Sequence, residues 1–578
     1  MSQDHHHQEL GFIQKYIFSV DHKVIGVQYG VTALIFLFLG FCMMMLMRWQ
    51  LAYPGEEVPI LGGLLGSGWL PDFMSAGDVD ASTYNTLGAM HGTVMIFLGV
   101  VPLGVGAFGN YLVPLQVGAP DMAFPKLNAA SYWTYFAGGV VMMLGFFMPG
   151  GAANSGWTSY PPLSIFASNG QTVWLVGMVL LITSSLLGSV NIIVTIIQLR
   201  APGLSFFKLP FFVWAQLVTS FILLLAFPPL EAAGVLQLMD RVAGTSFFLP
   251  TGLVQSNMPL EIAGGGNSLL WQHLFWFLAH PEVYVLILPA IGIVTEIVVN
   301  NTRKPLYGYK TLVYSGIFLG FMSFLVWAHH MFMTGMGETM SDFFQVTTMI
   351  ISIPSVVVLT VLIITLWGGS IRFNVPMLFA VAFLPMFAIG GLTGLPLGLT
   401  ASDIYFHDTY YVIGHFHYVV APGTLFALFA GIYYWYPKVV GRKMSSFWGK
   451  IHFWGSLISI NLVFFPMLLQ GISGLNRRMY DPTFYEHGAS IQSLNVIISY
   501  AAWALGLVQL IFILNFFLSI KFGKKVGDNP WQATTLEWAT PTPPPHGNFL
   551  SEPTVYHGPY EYSVPGRTED YLPQHVQA

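Results

Sequence analysis

Twelve apolar runs, each about as long as a bilayer-crossing helix, constrain this chain more than any other feature. They begin with residues 25–47 and end with residues 490–520, and each is near the ~20 residues that a helix needs to span hydrocarbon. Inside a bilayer the backbone must satisfy its own polar groups, which a helix does within one segment. The expected fold is therefore all-α, a polytopic bundle of about twelve transmembrane helices. Composition points the same way. Hydrophobic residues make up 54% of the chain and charged residues only 8%, against about 25% in soluble proteins. The net charge of -5 rests on so few groups that no patch forms for nucleic acid. The first run lies too deep, with the wrong flanks, for a cleaved signal peptide. Cys42 is the single cysteine, which excludes disulfides, iron–sulfur clusters, a Cys-x-x-Cys-His haem and a thiolate copper centre within this chain.

The expected spans are 25–47, 87–115, 131–148, 171–198, 210–233, 268–298, 309–331, 343–366, 374–395, 408–436, 450–470 and 490–520. Alternate loops differ in charge. Arg200 and Lys208 follow span four, Arg303, Lys304 and Lys310 span six, Arg372 span eight, and Lys438, Arg442 and Lys443 span ten. The opposite loops hold Glu56, Glu57, Asp72, Asp78 and Asp80, then Glu338 and Asp342. The positive-inside rule then puts both termini in the cytoplasm. Three regions follow: an N-terminal segment 1–24, a membrane domain 25–522, and an extended cytoplasmic tail 523–578 with a Pro/Thr run at 540–545. No second globular domain and no strong internal repeat is visible.

Polar groups inside a span are expensive and mark function by default. A lone membrane histidine can merely bond a neighbouring helix, but these histidines are not lone. His329 and His330 are adjacent near the outer end of span seven, in FLVWAHHMF. His280 lies inside span six, His415 and His417 share GHFHY in span ten, and His91 lies in span two. Residues two apart on a helix point roughly 200° apart, so His415 and His417 cannot share one metal and instead serve cofactors on opposite sides of their helix. His280, His329 and His330 can converge on one ion with an open position, which suits copper or zinc. Axial imidazoles on haem iron explain the other histidines better than bare ions do. His91 then pairs with His417 across one haem, and His415 holds a second, five-coordinate haem facing the three-histidine metal. Tyr284, four residues after His280, shares its helix face and can donate an electron and a proton.

The motifs HPEVY at 280–284, WAHH at 327–330 and HDTYYVIGHFH at 407–417 resemble subunit I of the haem–copper oxygen reductases, specifically the mitochondrial-like A family. The similarity runs from Asp21-His-Lys23 to the segment 529–538. The resemblance implies that His91 and His417 ligate a low-spin haem and His415 a high-spin haem. It assigns His280, His329 and His330 to copper B, with His280 cross-linked to Tyr284. It implies reduction of O2 to water with proton pumping, by an enzyme of the bacterial inner membrane. Cytochrome c is the expected donor, with the haems expected as haem A. Partner subunits II, with a dinuclear copper centre, and III are also implied. The segment 110–128 is similar to the family's D pathway, with Asp121 at its mouth and Asn110 and Asn128 beside it. Tyr29, Ser131, Ser184, Ser185 and Asn191 continue that path toward Glu282, a mid-membrane carboxyl expected to wait protonated. Arg477 and Arg478 match the arginine pair that holds haem propionates, with Trp157 nearby. His407 and Asp408 match an outer magnesium site, and Arg48 matches a contact to the low-spin haem.

Four departures stand out. The K pathway's lysine falls on Val358, 29 residues after His329, with Ser355 where threonine is usual. Tyr284 must then be reprotonated another way, for which Thr295 and Ser355 are the candidates. Ubiquinol-using relatives carry His and Gln where this chain has Thr83 and Thr86, which disfavours a quinol donor. Leu278-Ala279-His280 replaces the commoner Phe-Gly-His, and the arginine loop 474–480 lacks the usual proline. Nitric oxide reductase, which lacks the cross-linking tyrosine, and a twelve-span transporter are the competing classes. His5–His7 reads as a solvated tail.

Overall fold

In a computed structural model, the chain is described over residues 11–577 apart from 71, 75, 256 and 261–263; His5–His7 lie outside them. All twelve runs are helical: α1 His22–Ala52, α2 Ala81–Val117, α3 Pro125–Phe147, α4 Asn169–Gln198, α5 Phe211–Val242, α6 Ser268–Thr302, α7 Tyr309–Thr334, α8 Glu338–Leu366, α9 Val375–Leu397, α10 Tyr410–Val440, α11 Ser446–Ile472 and α12 Gln492–Phe522. The chain is thus a multi-pass membrane protein. Short polar side chains set several of the starts. Asp21 accepts from the Lys23 amide at 2.8 Å, Asp80 from Thr83 at 2.7 Å and Asn267 from Leu269 at 2.8 Å, each satisfying a donor the helix leaves free.

Neighbours in sequence pack as neighbours in space from α3 through α6 and from α10 through α12, and α12 returns to α1. Small residues set the spacing. A Cβ on Gly138 of α3 would sit 3.1 Å from the Gly177 carbonyl of α4, and the reverse holds equally. With lipid as solvent, such close backbone approach is the main source of attraction between helices. Helix α6 is the most deeply buried span, and it carries His280, Glu282 and Tyr284.

Three spans depart from regular α-geometry close to the histidines. Helix α2 widens into π turns at Val94–Val100 and Pro102–Ala107, and α10 does so at Val419–Leu425 around Pro422. Pro102 and Pro422 have no amide hydrogen to donate into the ladder, and π turns cluster at functional sites. In α7 the α-helix ends at Met322, and Trp327–Thr334 winds as a tighter 3-10 helix beyond a break at Val326 (φ -127°, ψ -3°). His329 and His330 therefore sit on a re-aimed turn and not on the straight helix that the apolar run suggests.

Among its described residues the tail from residue 523 forms the strand Lys524–Lys525, the turn Leu536–Trp538 and a bridge between Tyr562 and Tyr571, and it is packed. Asp570 pairs with buried Arg303 at 2.5 Å, the Tyr560 hydroxyl donates to Glu296 of α6 at 2.5 Å, and the Val555 amide donates to the Pro202 carbonyl at 2.8 Å. Leu536, Glu537, Asn548 and Gln574 are completely buried.

Candidate metal and cofactor site

A cavity of about 1530 Å³ runs between the helices, and His91, His280, His329, His330, His415 and His417 all line it. Drug-sized pockets hold about 300–1,000 Å³, so this one has room for groups much larger than an ion. His280, His329 and His330 each offer a ring nitrogen, and these nitrogens lie within 4.8 Å of one another. His280 Nδ1 faces His330 Nε2 at 3.1 Å, so the two ring nitrogens are aimed at each other. Trp276 stacks on His330 with centroids 3.7 Å apart and an interplanar angle of 11°. The Thr348 hydroxyl takes His329 Nδ1 at 3.0 Å, which leaves Nε2 facing the cluster. The Tyr284 hydroxyl lies 3.1 Å from His280 Nε2.

The other three histidines share one device. His91 Nδ1 meets the Gly40 carbonyl at 2.8 Å, His415 Nδ1 the Gly390 carbonyl at 2.9 Å, and His417 Nδ1 the Ile413 carbonyl at 2.9 Å. A carbonyl can only accept, so each ring carries its proton on Nδ1 and presents the Nε2 lone pair to the cavity. This is how second partners orient metal-binding imidazoles. Thr393 adds a contact to His415 at 3.2 Å, and His417 stacks on Phe464. The cavity and this donor set fit planar macrocycles held by axial imidazoles.

At one end of the cavity the Arg477 Nε donates to Asp408 at 2.6 Å, and His407 lies 3.8 Å from the same carboxylate and 3.6 Å from Asp403. The adjacent buried Asp403 carboxylate, with Asp408 adding to it, raises the His407 pKa against the effect of burial. Burial pushes the Asp408 carboxyl up, but Arg477 and His407 more than offset it and leave it below the usual range. Asp408 and Arg478 adopt the left-handed backbone conformation (φ 55° and 67°). Trp157 packs edge-on against Phe275 and Trp276. Arg48 is buried, held by Ser499 at 3.1 Å and by Asn495 at 3.0 Å, and its Nη1 has no partner.

On the Asp121 side, the Tyr29 hydroxyl meets Ser131 at 2.8 Å and Ser184 at 3.4 Å, and Ser184 donates to the Ser131 carbonyl at 2.6 Å. The expected residues Tyr29, Ser131 and Ser184 are thus one cluster; Ser185 follows on α4, half-buried. Asn110 Oδ1 and both amide atoms of Asn128 are buried without partners, the usual mark of places that ordered water fills. Asn191 is committed elsewhere: it accepts from the Phe124 amide and donates to its carbonyl at 2.9 and 3.1 Å, clamping the Asp121 loop. Burial pushes the Asp121 carboxyl up, against the pull of His22. Glu282 is buried with Oε1 unpartnered. Ser355 lines the cavity, whereas Thr295 donates its hydroxyl to Ile291 of its own helix at 2.7 Å. Val358 is buried, with no charge to offer.

Sequence reasoning missed Thr348, Thr393, Asp403 and Trp276. A polar residue in an apolar span was the available signal for the two threonines.

The sequence profile of the family described as cytochrome c and quinol oxidase polypeptide I matches residues 24–504. The chain belongs to this family. Among curated relatives of this oxidase polypeptide, cytochrome c oxidase subunit 1 of Synechocystis is 43% identical over 552 residues, covering 95% of this chain and 93% of the relative. The alternative cytochrome c oxidase subunit 1 of Bradyrhizobium diazoefficiens is 42% identical over 572 residues, covering 97% and 93%. Cytochrome c oxidase subunit 1 of Cereibacter sphaeroides is 38% identical, covering 95% and 97%. A solved heme–copper terminal oxidase dimer superposes with a TM-score of 0.69 at 19% identity, over 87% of this oxidase polypeptide and 85% of that chain, which establishes the shared fold.

Proposed function

We propose that this polypeptide is the oxygen-reducing subunit of a proton-pumping terminal oxidase fed by cytochrome c. The observation that carries the reading is the shared cavity: three convergent imidazoles at His280, His329 and His330 open onto the space lined by His91, His415 and His417. In this reading His91 and His417 hold a low-spin haem, His415 a high-spin haem, and His280, His329 and His330 copper B, with haem A as the macrocycle. Bound there, haem iron and copper supply O2 binding and its four-electron reduction. Tyr284, hydrogen-bonded to His280, supplies a proton and an electron. Arg477, Arg478 and Trp157 hold the haem carboxylates, Arg48 contacts the low-spin haem, and His407 with Asp408 binds magnesium together with a partner subunit.

Protons enter at Asp121, pass the hydrated polar atoms of Asn110 and Asn128 and the Tyr29–Ser131–Ser184 cluster, and reach Glu282. With Val358 in place of a lysine, Asp121 and Glu282 carry a larger share of the protons than in relatives with a K pathway. The bacterial relatives support a bacterial inner membrane location, and the charge asymmetry of the loops supports both termini being cytoplasmic. Having one cysteine, the chain draws electrons through a partner subunit II with a dinuclear copper centre; subunit III completes the complex. Pyridine haem analysis with copper quantification on the purified complex tests the reading. Two haems and one copper are expected at this subunit; bound haem with non-haem iron in place of copper overturns it.

A further inference from the structure

The mouth beside Asp121 is built partly from the C-terminal tail. Asn548 is completely buried, with its backbone in the left-handed region at φ 69°. Its Nδ2 donates to the Ala119 carbonyl at 2.8 Å, and its Oδ1 meets both His22 Nε2 and Lys23 Nζ at 2.9 Å. The amide cannot be turned round. A flip would aim Oδ1 at the Ala119 carbonyl and the NH2 group at the Lys23 ammonium, opposing like charges at two places. Oδ1 therefore faces His22, and His22 Nε2 must carry a hydrogen. The other ring nitrogen, Nδ1, lies 2.7 Å from the Asn110 carbonyl, which also can only accept. Both nitrogens of this completely buried ring thus point at acceptors, and a neutral imidazole can satisfy only one of them.

We infer that His22 is held as an imidazolium by Asn548 of the tail and the Asn110 carbonyl, and that this buried charge, with Asn548 as its positioning residue, keeps Asp121 ready to take up protons. Burial, the largest effect, and the neighbouring Lys23 oppose the charge, whereas Asp121 on the 118–124 loop, Asp21 before α1 and the Asn548 side chain favour it. His546 of the tail lies 3.2 Å from Asp21 and 87% exposed, where solvent screens it. The carboxyls alone do not decide the matter; two fixed acceptors on one ring do, because whichever ring nitrogen lacked a hydrogen would hold its lone pair against an oxygen lone pair. The charge sets the proton affinity of Asp121, since burial pushes that carboxyl up and His22 draws it back.

The inference rests on Asp121 being the intake point, and the experiment separates the two. Infrared spectra of the whole oxidase complex carrying isotope-labelled histidine, wild type minus His22→Gln, should contain an imidazolium band near neutral pH; a neutral-imidazole band overturns the assignment. Asn548→Leu removes the acceptor and should abolish that band, whereas Asn548→Asp keeps an acceptor and should retain it. A band that survives Asn548→Leu removes Asn548 from the role. With the charge gone, Asp121 binds its proton more tightly and is ionised less often at a given pH. The acid limb of the turnover–pH profile in Asn548→Leu should therefore move up by about one pH unit, a tenfold change in proton affinity. An unmoved limb overturns the coupling between His22 and Asp121. Wild-type turnover in Asp121→Asn would instead sink the intake reading, leaving the His22 charge to be judged by the infrared band alone.

Discussion

At the scale of single residues, two threonines distinguish a necessary partner from a redundant one. Thr348 is the side chain that holds His329 Nδ1, at 3.0 Å, whereas His415 Nδ1 has the Gly390 carbonyl at 2.9 Å as well as Thr393 at 3.2 Å. Thr348→Val should therefore weaken copper binding about 10–100-fold, read as copper retained through dialysis against a chelator. Thr393→Val should leave the haem spectrum unchanged. Equal effects from both would contradict the assignment of partners. Glu282→Gln replaces the buried carboxyl with a group that cannot release a proton, and should cut oxygen consumption by about 100-fold or more. Near-normal consumption would show that protons reach the site by another route. At this scale the sequence was informative where polarity met an apolar span, and the six histidines stood out for that reason. It was silent on the carbonyl partners of His91, His415 and His417, because Gly40, Gly390 and Ile413 act through a backbone group that every residue has.

At the scale of elements, the helices were readable from hydropathy because each span must satisfy its own backbone. The local windings were not. The break at Val326 and the π turns after Thr93 and Tyr418 depend on packing against other helices, which periodicity does not record. Helix α10 packs closely on α11 at Gly471, where an added Cβ would run into the Tyr411 amide. Backbone on the far side cannot yield as a flexible side chain can. Gly471→Ala should cost at least the ~1–3 kcal/mol of ordinary overpacking and displace the helix that bears His415 and His417. Thermal unfolding and the reduced-minus-oxidised visible spectrum should change together. A lower melting temperature with an unaltered spectrum would mean that the strain is absorbed without moving the histidines.

Across the whole molecule, the tail binds distant parts of the chain to one another. Asn548 reaches His22 across 526 positions, Glu537 accepts from Gln116 at 3.0 Å, and Asp570 pairs with Arg303. Composition marked this stretch as Pro/Thr-rich and suggested an extended segment. Its burial was illegible, because the surfaces it covers come from loops hundreds of residues away. The Asp570–Arg303 pair makes a pH prediction. The hydrogen bond from Arg303 lowers the Asp570 pKa from its ordinary 3.8. A carboxyl depressed in the folded state adds stability above its unfolded value and loses it as pH falls through the folded one. Asp570 is 43% exposed, so solvent limits the gain to about 1 kcal/mol or less. Asp570→Asn should melt slightly below wild type at neutral pH, and the two curves should converge in acid below 3.8. A gap that persists in acid would show that the aspartate acts through packing and not through charge.

The carbonyl locks on His91, His415 and His417 bear on how such a chain can evolve. No point mutation deletes a main-chain oxygen, so the aim of these rings is insulated from drift at Gly40, Gly390 and Ile413 provided the helices keep their course. The surrounding side chains are then free to diversify, retuning the pocket without first having to rebuild the ligands. Covariation between these histidines and the residues that orient them should accordingly be weak, however strictly the histidines themselves are retained.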